Sequence, residues 1–188
     1  MFGAKSKNGR LHLLGLVSDG GVHSHITHLE ALLEAAKEAE VPNTYVHFFS
    51  DGRDTAPTSA VTYVESLMSH ISKLGYGSLA TLMGRYYAMD RDKRYERTKI
   101  AFEGLVKGVG QNVELGNLVN VMNGRYNGIG SDKQTDEFLK PIILNTDGVI
   151  KDNDTLIFID FRADRMRQIV EAVQTPVSYT HLTLPTKA

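Results

Sequence analysis

Short apolar runs alternate with amphipathic stretches along most of this chain. The apolar runs have the length and residue content of strands; they are Leu11–Val17, Thr44–Phe49, Leu79–Met83, Ile142–Leu144 and Leu156–Phe161. Between the first three runs, hydrophobic residues recur at the spacing of one helix face, which predicts intervening helices. Strands that alternate with helices predict an α/β fold, in which helices pack on the faces of a layered sheet. The sheet is expected to be mixed or mostly parallel, and it could be curled.

Helix boundaries follow from caps and glycines. Thr27 and Glu30 have the spacing of a capping box, so the first helix is expected to begin near Thr27. The second amphipathic stretch ends at Gly75, a residue that commonly terminates helices. Three further helices are predicted, over Tyr95–Val106, Asn117–Tyr126 and Ala163–Val173.

The 188 residues divide into three parts. We expect residues 1–10 to be a lead-in and residues 11–174 to form one domain. Residues 175–188 are rich in threonine, contain Pro176 and show no helical or strand periodicity. We therefore predict a tail outside the fold, with foreign sequence as its origin; a native edge strand is the alternative.

Composition excludes several classes of function. With 41% hydrophobic and 23% charged residues, the chain has the composition of a folded globular protein. It contains no cysteine, which excludes disulfides, thiolate nucleophiles and cysteine-ligated metals. A net charge of −1 gives no general attraction to nucleic acid or membranes, and no apolar run approaches the roughly 18 residues of a membrane span. We expect a monomeric, cytoplasmic protein that binds neither nucleic acid nor membrane.

Polar clusters follow four of the predicted strands. They are Ser18–His25, Ser50–Thr55, Gly84–Arg94 and Asp160–Arg165. In open α/β sheets, ligands bind at the carboxyl ends of the strands, so these clusters are expected to meet there. The candidate site residues are His23, Arg53, Asp54, Arg85, Arg91, Arg162 and Arg165.

These residue types indicate a site for a multiply charged anion. Arginine forks bind carboxylate and phosphate in a bidentate manner, and five unneutralised arginines would repel one another without such a ligand. A small phosphorylated carboxylic acid fits this requirement. Asp54 would remain ionised and accept a proton from a substrate hydroxyl, and His23 would donate to phosphate or act as a second acid–base group.

Other interpretations of the same residues remain open. Any single arginine after a strand can be an ordinary solvated surface residue. His23 and His25, with Asp19, form an H-x-H pattern that could hold a hydrolytic metal ion. His25 and His28 could also be structural residues at a helix start, and Tyr86 and Tyr87 core residues or a pocket wall.

Four strings of the sequence resemble one enzyme family. The strings L-V-S-D-G-G-V-H-S-H, S-D-G-R-D-T-A-P, M-G-R-Y-Y-A-M-D-R-D-K-R-Y-E-R and F-R-A-D-R-M-R-Q-I are similar to those of the cofactor-independent (2,3-bisphosphoglycerate-independent) phosphoglycerate mutases. The resemblance extends over Leu11–Val173. Two positions depart from the family pattern. Asp160 replaces a usual asparagine, which is expected to place an extra negative charge beside the arginines, and Tyr95 replaces a usual tryptophan.

The resemblance implies a two-domain isomerase of glycolysis and gluconeogenesis that interconverts 3-phosphoglycerate and 2-phosphoglycerate. A phosphatase-like domain carries a serine nucleophile and two Mn²⁺ ions, and an inserted phosphotransferase domain binds the substrate. This chain resembles the inserted domain alone, so it is expected to hold no metal and to be inactive by itself.

The resemblance also implies roles for particular residues. Asp54 corresponds to the acid–base residue at the glycerate hydroxyl. The remaining candidate positions correspond to residues that hold the substrate carboxylate and phosphate, namely His23, Arg53, Arg85, Arg91, Arg162 and Arg165.

Overall fold

A single mixed sheet organises the computed structural model, which describes residues 9–130 and 133–174. Six strands lie in the order β4-β5-β3-β2-β1-β6. Their bounds are β1 Arg10–Leu16, β2 Asn43–Ser50, β3 Ser78–Gly84, β4 Gln111–Asn112, β5 Ile142–Ile143 and β6 Thr155–Phe158. The predicted α/β class is confirmed. The tail predicted at residues 175–188 lies outside the described residues.

Parallel pairing dominates the centre of the sheet. Strand β1 pairs in parallel with both β2 and β6, and β2 pairs in parallel with β3. Strand β5 runs antiparallel to β3, which makes the sheet mixed, and β4 is parallel to β5. The carboxyl ends of the four mutually parallel strands β3, β2, β1 and β6 therefore lie at one edge of the sheet.

Helices cover both faces of this sheet. They are α1 Ile26–Glu38, α2 Ala60–Leu74, α3 Arg85–Ala88, α4 Tyr95–Lys107, α5 Leu118–Tyr126 and α6 Arg167–Gln174. No helix in the described ranges has the length and apolar content needed to cross a membrane. Leu13 of β1 is buried with residues of α1, α2 and α5, whereas the adjacent Leu14 is buried with residues of α3, α4 and α6. Alternate side chains of β1 therefore supply two separate cores.

Two helices begin differently from what the capping-box spacing and the residue before α2 indicate. The structural role offered for His25 at a helix start is confirmed. The capping box at Thr27 was a wrong prediction: His25 is the N-cap of α1, and its side chain accepts the Thr27 N–H. Ser59 precedes α2 without capping it through its side chain. Instead, Asp136 accepts the Ala60 N–H through Oδ2 at 2.8 Å. Gly75 ends α2 in the left-handed region at φ 62°, as predicted.

In both segments that flank the predicted site, the helices differ from those that the hydrophobic periodicity predicts. The helix expected over Ala163–Val173 is a 3₁₀ turn at Ala163–Arg165 followed by α6. A short helix, α3, begins directly after β3. Gly84 at this junction packs against the backbone of Glu137, where a Cβ atom would collide with the Glu137 carbonyl. The junction thus requires glycine because the turn at Asp136–Phe138 approaches it so closely.

A chain of hydrogen bonds crosses three strands inside the sheet. His12 Nε2 lies 2.9 Å from Asp154 Oδ2, His12 Nδ1 lies 2.8 Å from His47 Nε2, and His47 Nδ1 lies 2.9 Å from Thr81 Oγ1. A carboxylate can only accept, so His12 donates through Nε2 and accepts from His47, which in turn accepts from Thr81. Burial lowers the pKa of His12 to about 4 and that of His47 well below its ordinary value. Both rings are therefore neutral at pH 7.

Candidate functional site

Four loops meet at the carboxyl ends of the four parallel strands. They follow β1, β2, β3 and β6, which are parallel neighbours in the sheet. Each loop contains one of the polar clusters noted in the sequence, so the predicted convergence of these clusters is confirmed. Their side chains form a buried ion cluster and, beside it, a cleft lined by arginines.

Arg85 and two aspartates form the buried ion cluster. Arg85 Nη1 donates to Asp51 Oδ1 and to Asp54 Oδ2, both at 2.7 Å. Arg85 and Asp51 are 3% and 1% exposed. Burial alone would raise the pKa of Asp51, but hydrogen bonds from the Asp54 N–H, Ser18 and Arg85 outweigh it and lower this pKa. Arg85 is therefore fixed in place by carboxylates, and sequence inspection did not single out Asp51.

Asp54 and His23 lie side by side at this cluster. His23 Nε2 is 3.8 Å from Asp54 Oδ2, a distance that allows attraction but no direct hydrogen bond. The Asp54 side chain keeps 21% of its surface exposed, so a ligand can reach it. Burial, followed by the positive charges of Arg85 and Arg162, lowers the pKa of His23. His23 is therefore neutral at pH 7 and adds no permanent charge to the site.

The cleft beside the cluster has a volume of about 200 Å³. Four of the predicted arginines line it: Arg53, Arg85, Arg91 and Arg165. Arg94 and Arg97 also line it, although neither was among the candidates. The other three candidates, His23, Asp54 and Arg162, do not line this cleft. They adjoin it through the ion pairs of Asp54 with Arg85 and of Arg162 with Asp164.

Acidic residues partly neutralise the arginines, which corrects the expectation of five unneutralised side chains. Asp164 lies 2.7 Å from Arg91 and 3.6 Å from Arg162. Arg53 lies 3.7 Å from Glu137. Among the described residues, Arg165 is the one candidate arginine without an ion pair.

The neighbouring positive charges affect the pKa of Arg165. Its Nη1 donates to the Met89 carbonyl at 3.2 Å, and no carboxylate in the described part of the chain lies within ion-pair distance of it; Asp164 compensates its charge only from farther away. Burial, and then the nearby charges of Arg91, Arg85 and Arg53, lower the pKa of Arg165. A bound anion would relieve this repulsion, so the electrostatics of the cleft favour a negatively charged ligand.

Several buried polar atoms at the site have no hydrogen-bond partner in the described part of the chain. They are Arg85 Nε, Arg165 Nε, His23 Nδ1 and Asp160 Oδ1. Protein interiors rarely leave such atoms unpaired, and each one in a native structure calls for an explanation. Their concentration around one cationic cleft fits a site that a ligand or ordered water completes.

Asp160 differs from the fixed negative charge that the sequence suggested. Its Oδ2 accepts the Leu16 N–H at 3.1 Å, whereas its Oδ1 is buried without a partner. Burial raises the pKa of Asp160 to about 7; the Leu16 hydrogen bond and Arg85 oppose this rise, and Asp51 adds to it. The carboxyl group therefore exchanges its proton near neutral pH instead of opposing the arginines at every pH.

An aromatic wall borders the cleft on one side. Tyr86, which the sequence left as core or pocket wall, lines the cleft together with Phe138. The two ring centroids are 4.9 Å apart, and the Arg97 guanidinium lies 3.7 Å from the Tyr86 ring centroid. Phe138 comes from a 3₁₀ turn 52 residues away in sequence from Tyr86. No local pattern pointed to that turn.

The hypothetical metal site of the H-x-H pattern gains no support. His25 Nδ1 contacts Thr27 at the start of α1, and Asp19 accepts from the Tyr63 hydroxyl. Within residues 9–130 and 133–174, no group of three or more histidine, aspartate or glutamate side chains could hold a metal ion. The Mn²⁺ ions that the resemblance implies thus have no ligand set in this part of the chain, and we assign no reaction step through them here.

Comparison with known proteins identifies the family. The model described as "BPG-independent PGAM N-terminus" matches residues 1–186. The chain belongs to this family. The 2,3-bisphosphoglycerate-independent phosphoglycerate mutase of Onchocerca volvulus is 55% identical over 166 residues, which are 88% of this chain and 32% of that protein. The enzyme of the same name from Clostridium novyi is 47% identical over 174 residues, covering 90% of this chain and 33% of that protein.

A solved structure supports the fold independently. A phosphoglycerate mutase of Leishmania mexicana, crystallised at low cobalt concentration, superposes with a TM-score of 0.84 at 24% sequence identity. The match covers 93% of this chain and 33% of that one. The chain thus spans about a third of the length of the relatives it matches.

Proposed function

We propose that this chain is the substrate-binding part of a 2,3-bisphosphoglycerate-independent phosphoglycerate mutase. In this proposal residues 11–174 are the phosphotransferase domain, and their ligand is 3-phosphoglycerate or 2-phosphoglycerate. The observation that carries the proposal is the cleft lined by Arg53, Arg85, Arg91 and Arg165 at the carboxyl edge of the sheet. Membership of the family supports the choice of ligand.

The arginines would divide the two anionic groups of the substrate between them. A guanidinium fork matches carboxylate or phosphate with two parallel hydrogen bonds, and each charge-assisted bond contributes roughly 1.5–3 kcal/mol. Arg165 has no carboxylate partner within ion-pair distance among residues 9–130 and 133–174, so it would gain most from a bound anion. Arg91 and Arg162 share Asp164, which a stronger anion would displace.

Asp54 would handle the proton of the glycerate hydroxyl. When the phosphoryl group moves to C2, the C2 hydroxyl must lose a proton, and the C3 oxygen must gain one. Asp54 Oδ2 is held by Arg85, whereas Oδ1 makes no hydrogen bond with described residues and can accept that proton. Neutral His23, 3.8 Å away, would hydrogen-bond the substrate or pass the proton on.

The nucleophile and the metal ions are assigned to a phosphatase-like domain outside this sequence. The serine and the two Mn²⁺ ions come from the family resemblance, and the Mn²⁺ ions would supply Lewis-acid stabilisation of the transferring phosphoryl group. The chain described here would bind and orient glycerate while that domain performs the transfer. It is expected to bind substrate without converting it.

Calorimetry with 3-phosphoglycerate tests the binding role. The unmodified chain should bind, and Arg165→Ala or Arg162→Ala should weaken binding at least tenfold. Arg167→Ala is the matched control, because Arg167 is exposed on α6 and does not line the cleft. Equal weakening by all three substitutions, or no binding by the unmodified chain, would contradict the proposal.

Phosphorus NMR tests whether the chain binds substrate without converting it. The chain incubated with 3-phosphoglycerate should give no 2-phosphoglycerate signal, with or without added Mn²⁺. Turnover by the chain alone would show that it contains a complete catalytic site.

A stand-alone anion-binding module is the second candidate. One observation favours it: Arg165 lines the cleft and has no carboxylate within ion-pair distance among the described residues, so that any small anion would be attracted there. Such a module would bind inorganic phosphate about as tightly as 3-phosphoglycerate. A clear preference for phosphoglycerate in the same calorimetric series would favour the mutase role.

A further inference from the structure

The loop that presents Arg91 to the cleft is held in place by side chains. It runs from Asp90 to Arg94, between α3 and α4. The backbone N–H groups of Asp92 and Arg94 both donate to Asp90 Oδ2, at 3.1 and 2.9 Å. Lys93 has a positive φ of 58°, a conformation that non-glycine residues seldom adopt. A loop with this conformation needs contacts that hold it.

Gln168 of α6 supplies those contacts. Its Oε1 accepts the Lys93 N–H at 2.7 Å. Its Nε2 donates to the Asp90 carbonyl at 2.6 Å and to Asp90 Oδ2 at 2.7 Å. A carboxamide has an acceptor oxygen and a donor nitrogen on the same carbon, so it can accept from Lys93 and donate to Asp90 at the same time. We call these three hydrogen bonds the Gln168 clasp.

The clasp joins the two segments whose arginines share the site. Gln168 lies three residues after Arg165, and Arg165 Nη1 donates to Met89, directly before the loop. Asp164, on the same segment, accepts from Arg91 Nη1 at 2.7 Å. None of these contacts involves Asp54, His23 or the ion cluster around Arg85.

We propose that Gln168 is a positioning residue that holds the 90–94 loop so that the Arg91 guanidinium faces the cleft before any ligand arrives. The inference rests on the proposed function, because it assumes that the cleft binds an anion. Without the Gln168 clasp, the loop would have to become ordered when the ligand binds. The free energy of that ordering would make binding less favourable, so affinity would fall. If Gln168 supported only the fold, the effect of replacing it on ligand affinity would not depend on whether Arg91 is present.

A double-mutant cycle with 3-phosphoglycerate tests this role. Gln168→Met keeps the length of the side chain and removes the clasp; we expect affinity to fall about tenfold with a small change in urea midpoint. In an Arg91→Ala background the same substitution should change affinity less than twofold, since its effect passes through Arg91. Gln174→Met, an exposed change on the same helix, is the control.

Two further measurements keep the inference falsifiable. Gln168→Glu retains the acceptor for Lys93 but places a carboxylate against Asp90, so it should weaken binding at least as much as Gln168→Met at pH 8. Amide exchange at Lys93 should accelerate at least tenfold in Gln168→Met, which removes the acceptor of the Lys93 N–H, and less in Gln168→Glu, which keeps it. Unchanged affinity in Gln168→Met, or an equal loss in the Arg91→Ala background, would overturn the positioning role. No binding by the unmodified chain would instead overturn the proposed function, and this role with it.

Discussion

At the scale of single residues, burial decides the chemistry of Asp160. The sequence shows only an acidic residue before Phe161 and Arg162, which indicates a permanent negative charge. In the folded chain one carboxyl oxygen accepts the Leu16 N–H and the other is buried without a partner. No cation lies within ion-pair distance of this group among the described residues. Burial without a compensating cation disfavours the charged carboxylate, so Asp160 keeps its proton in acid and loses it only near neutral pH.

Replacement of Asp160 by asparagine should therefore stabilise the chain at high pH. The folded pKa, about 7, exceeds the ordinary value, so the folded state binds more protons than the unfolded state between about pH 4 and 7. The contribution of the Asp160 carboxyl group to the free energy of unfolding is complete below about pH 4 and is lost as pH rises to about 7. Asp160→Asn removes that loss, and we expect a gain on the order of a few kcal/mol at pH 8 relative to pH 5.

Urea unfolding of both proteins at pH 5 and pH 8 measures this difference. Asp152→Asn, the same substitution at an exposed position, provides the control. A stability difference between Asp160→Asn and the unmodified chain that is constant from pH 5 to pH 8 would show that Asp160 ionises normally.

At the scale of elements, the central strands are joined by side chains as well as by their backbones. His12 of β1, His47 of β2 and Thr81 of β3 form one continuous hydrogen-bonded chain that ends at Asp154. The direction of each hydrogen bond is fixed by the carboxylate. A second proton on either ring would break this order and place a charge inside the sheet.

The chain should consequently lose stability in mild acid. Burial lowers the pKa of His12 to about 4 and that of His47 well below its ordinary value, so the unfolded state binds protons below about pH 6.5 that the folded state does not bind. Stability is full above that pH and falls as pH decreases towards 4; the shift of His12 alone corresponds to about 2 kcal/mol at pH 5, and His47 adds to the loss in the same direction.

The variant His47→Gln isolates the contribution of one ring. It should be less stable than the unmodified chain at pH 7 but should lose less stability between pH 7 and pH 5. His28→Gln, at an exposed position, should leave the slope unchanged. Equal slopes for His47→Gln and the unmodified chain in urea titrations would refute this account.

The two ends of α2 differ in how well the neighbouring residues predict them. Gly75 ends α2 as predicted, because a left-handed C-cap is a local requirement of the backbone. The start of the same helix was out of reach, because its cap is Asp136, 76 residues away. Asp136 also accepts from the Tyr126 hydroxyl, so one carboxylate joins α2 to α5. A cap from a distant element leaves no trace in the residues around the helix it caps.

At the scale of the whole molecule, one sheet shared by two cores should make unfolding cooperative. Leu13 and Leu14 are adjacent in β1, are both fully buried, and belong to opposite cores. Leu13→Ala and Leu14→Ala should each cost about 2–5 kcal/mol. Each should shift the whole transition, because neither face of β1 can unfold while the other stays packed.

Coincidence of near- and far-ultraviolet circular dichroism transitions in urea checks this expectation. Leu115→Ala, at a position that is 42% exposed, should change stability by less than about 0.5 kcal/mol. Separate transitions in either buried variant would show that the two cores unfold independently.

The sequence by itself determined the alternation of strands and helices, the helix end at Gly75, the four polar clusters and the family. These features rest on residue order along a few turns or on strings of adjacent residues, which folding leaves intact. Tertiary structure alone decided that Asp51 holds Arg85, that Arg165 has no ion pair with any residue the structure describes, and that Asp160 titrates near neutral pH. It also brought Gln168 to the Arg91 loop. Ion pairing and pKa depend on the distances and burial of residues that lie far apart in sequence, and only packing of the sheet sets those distances.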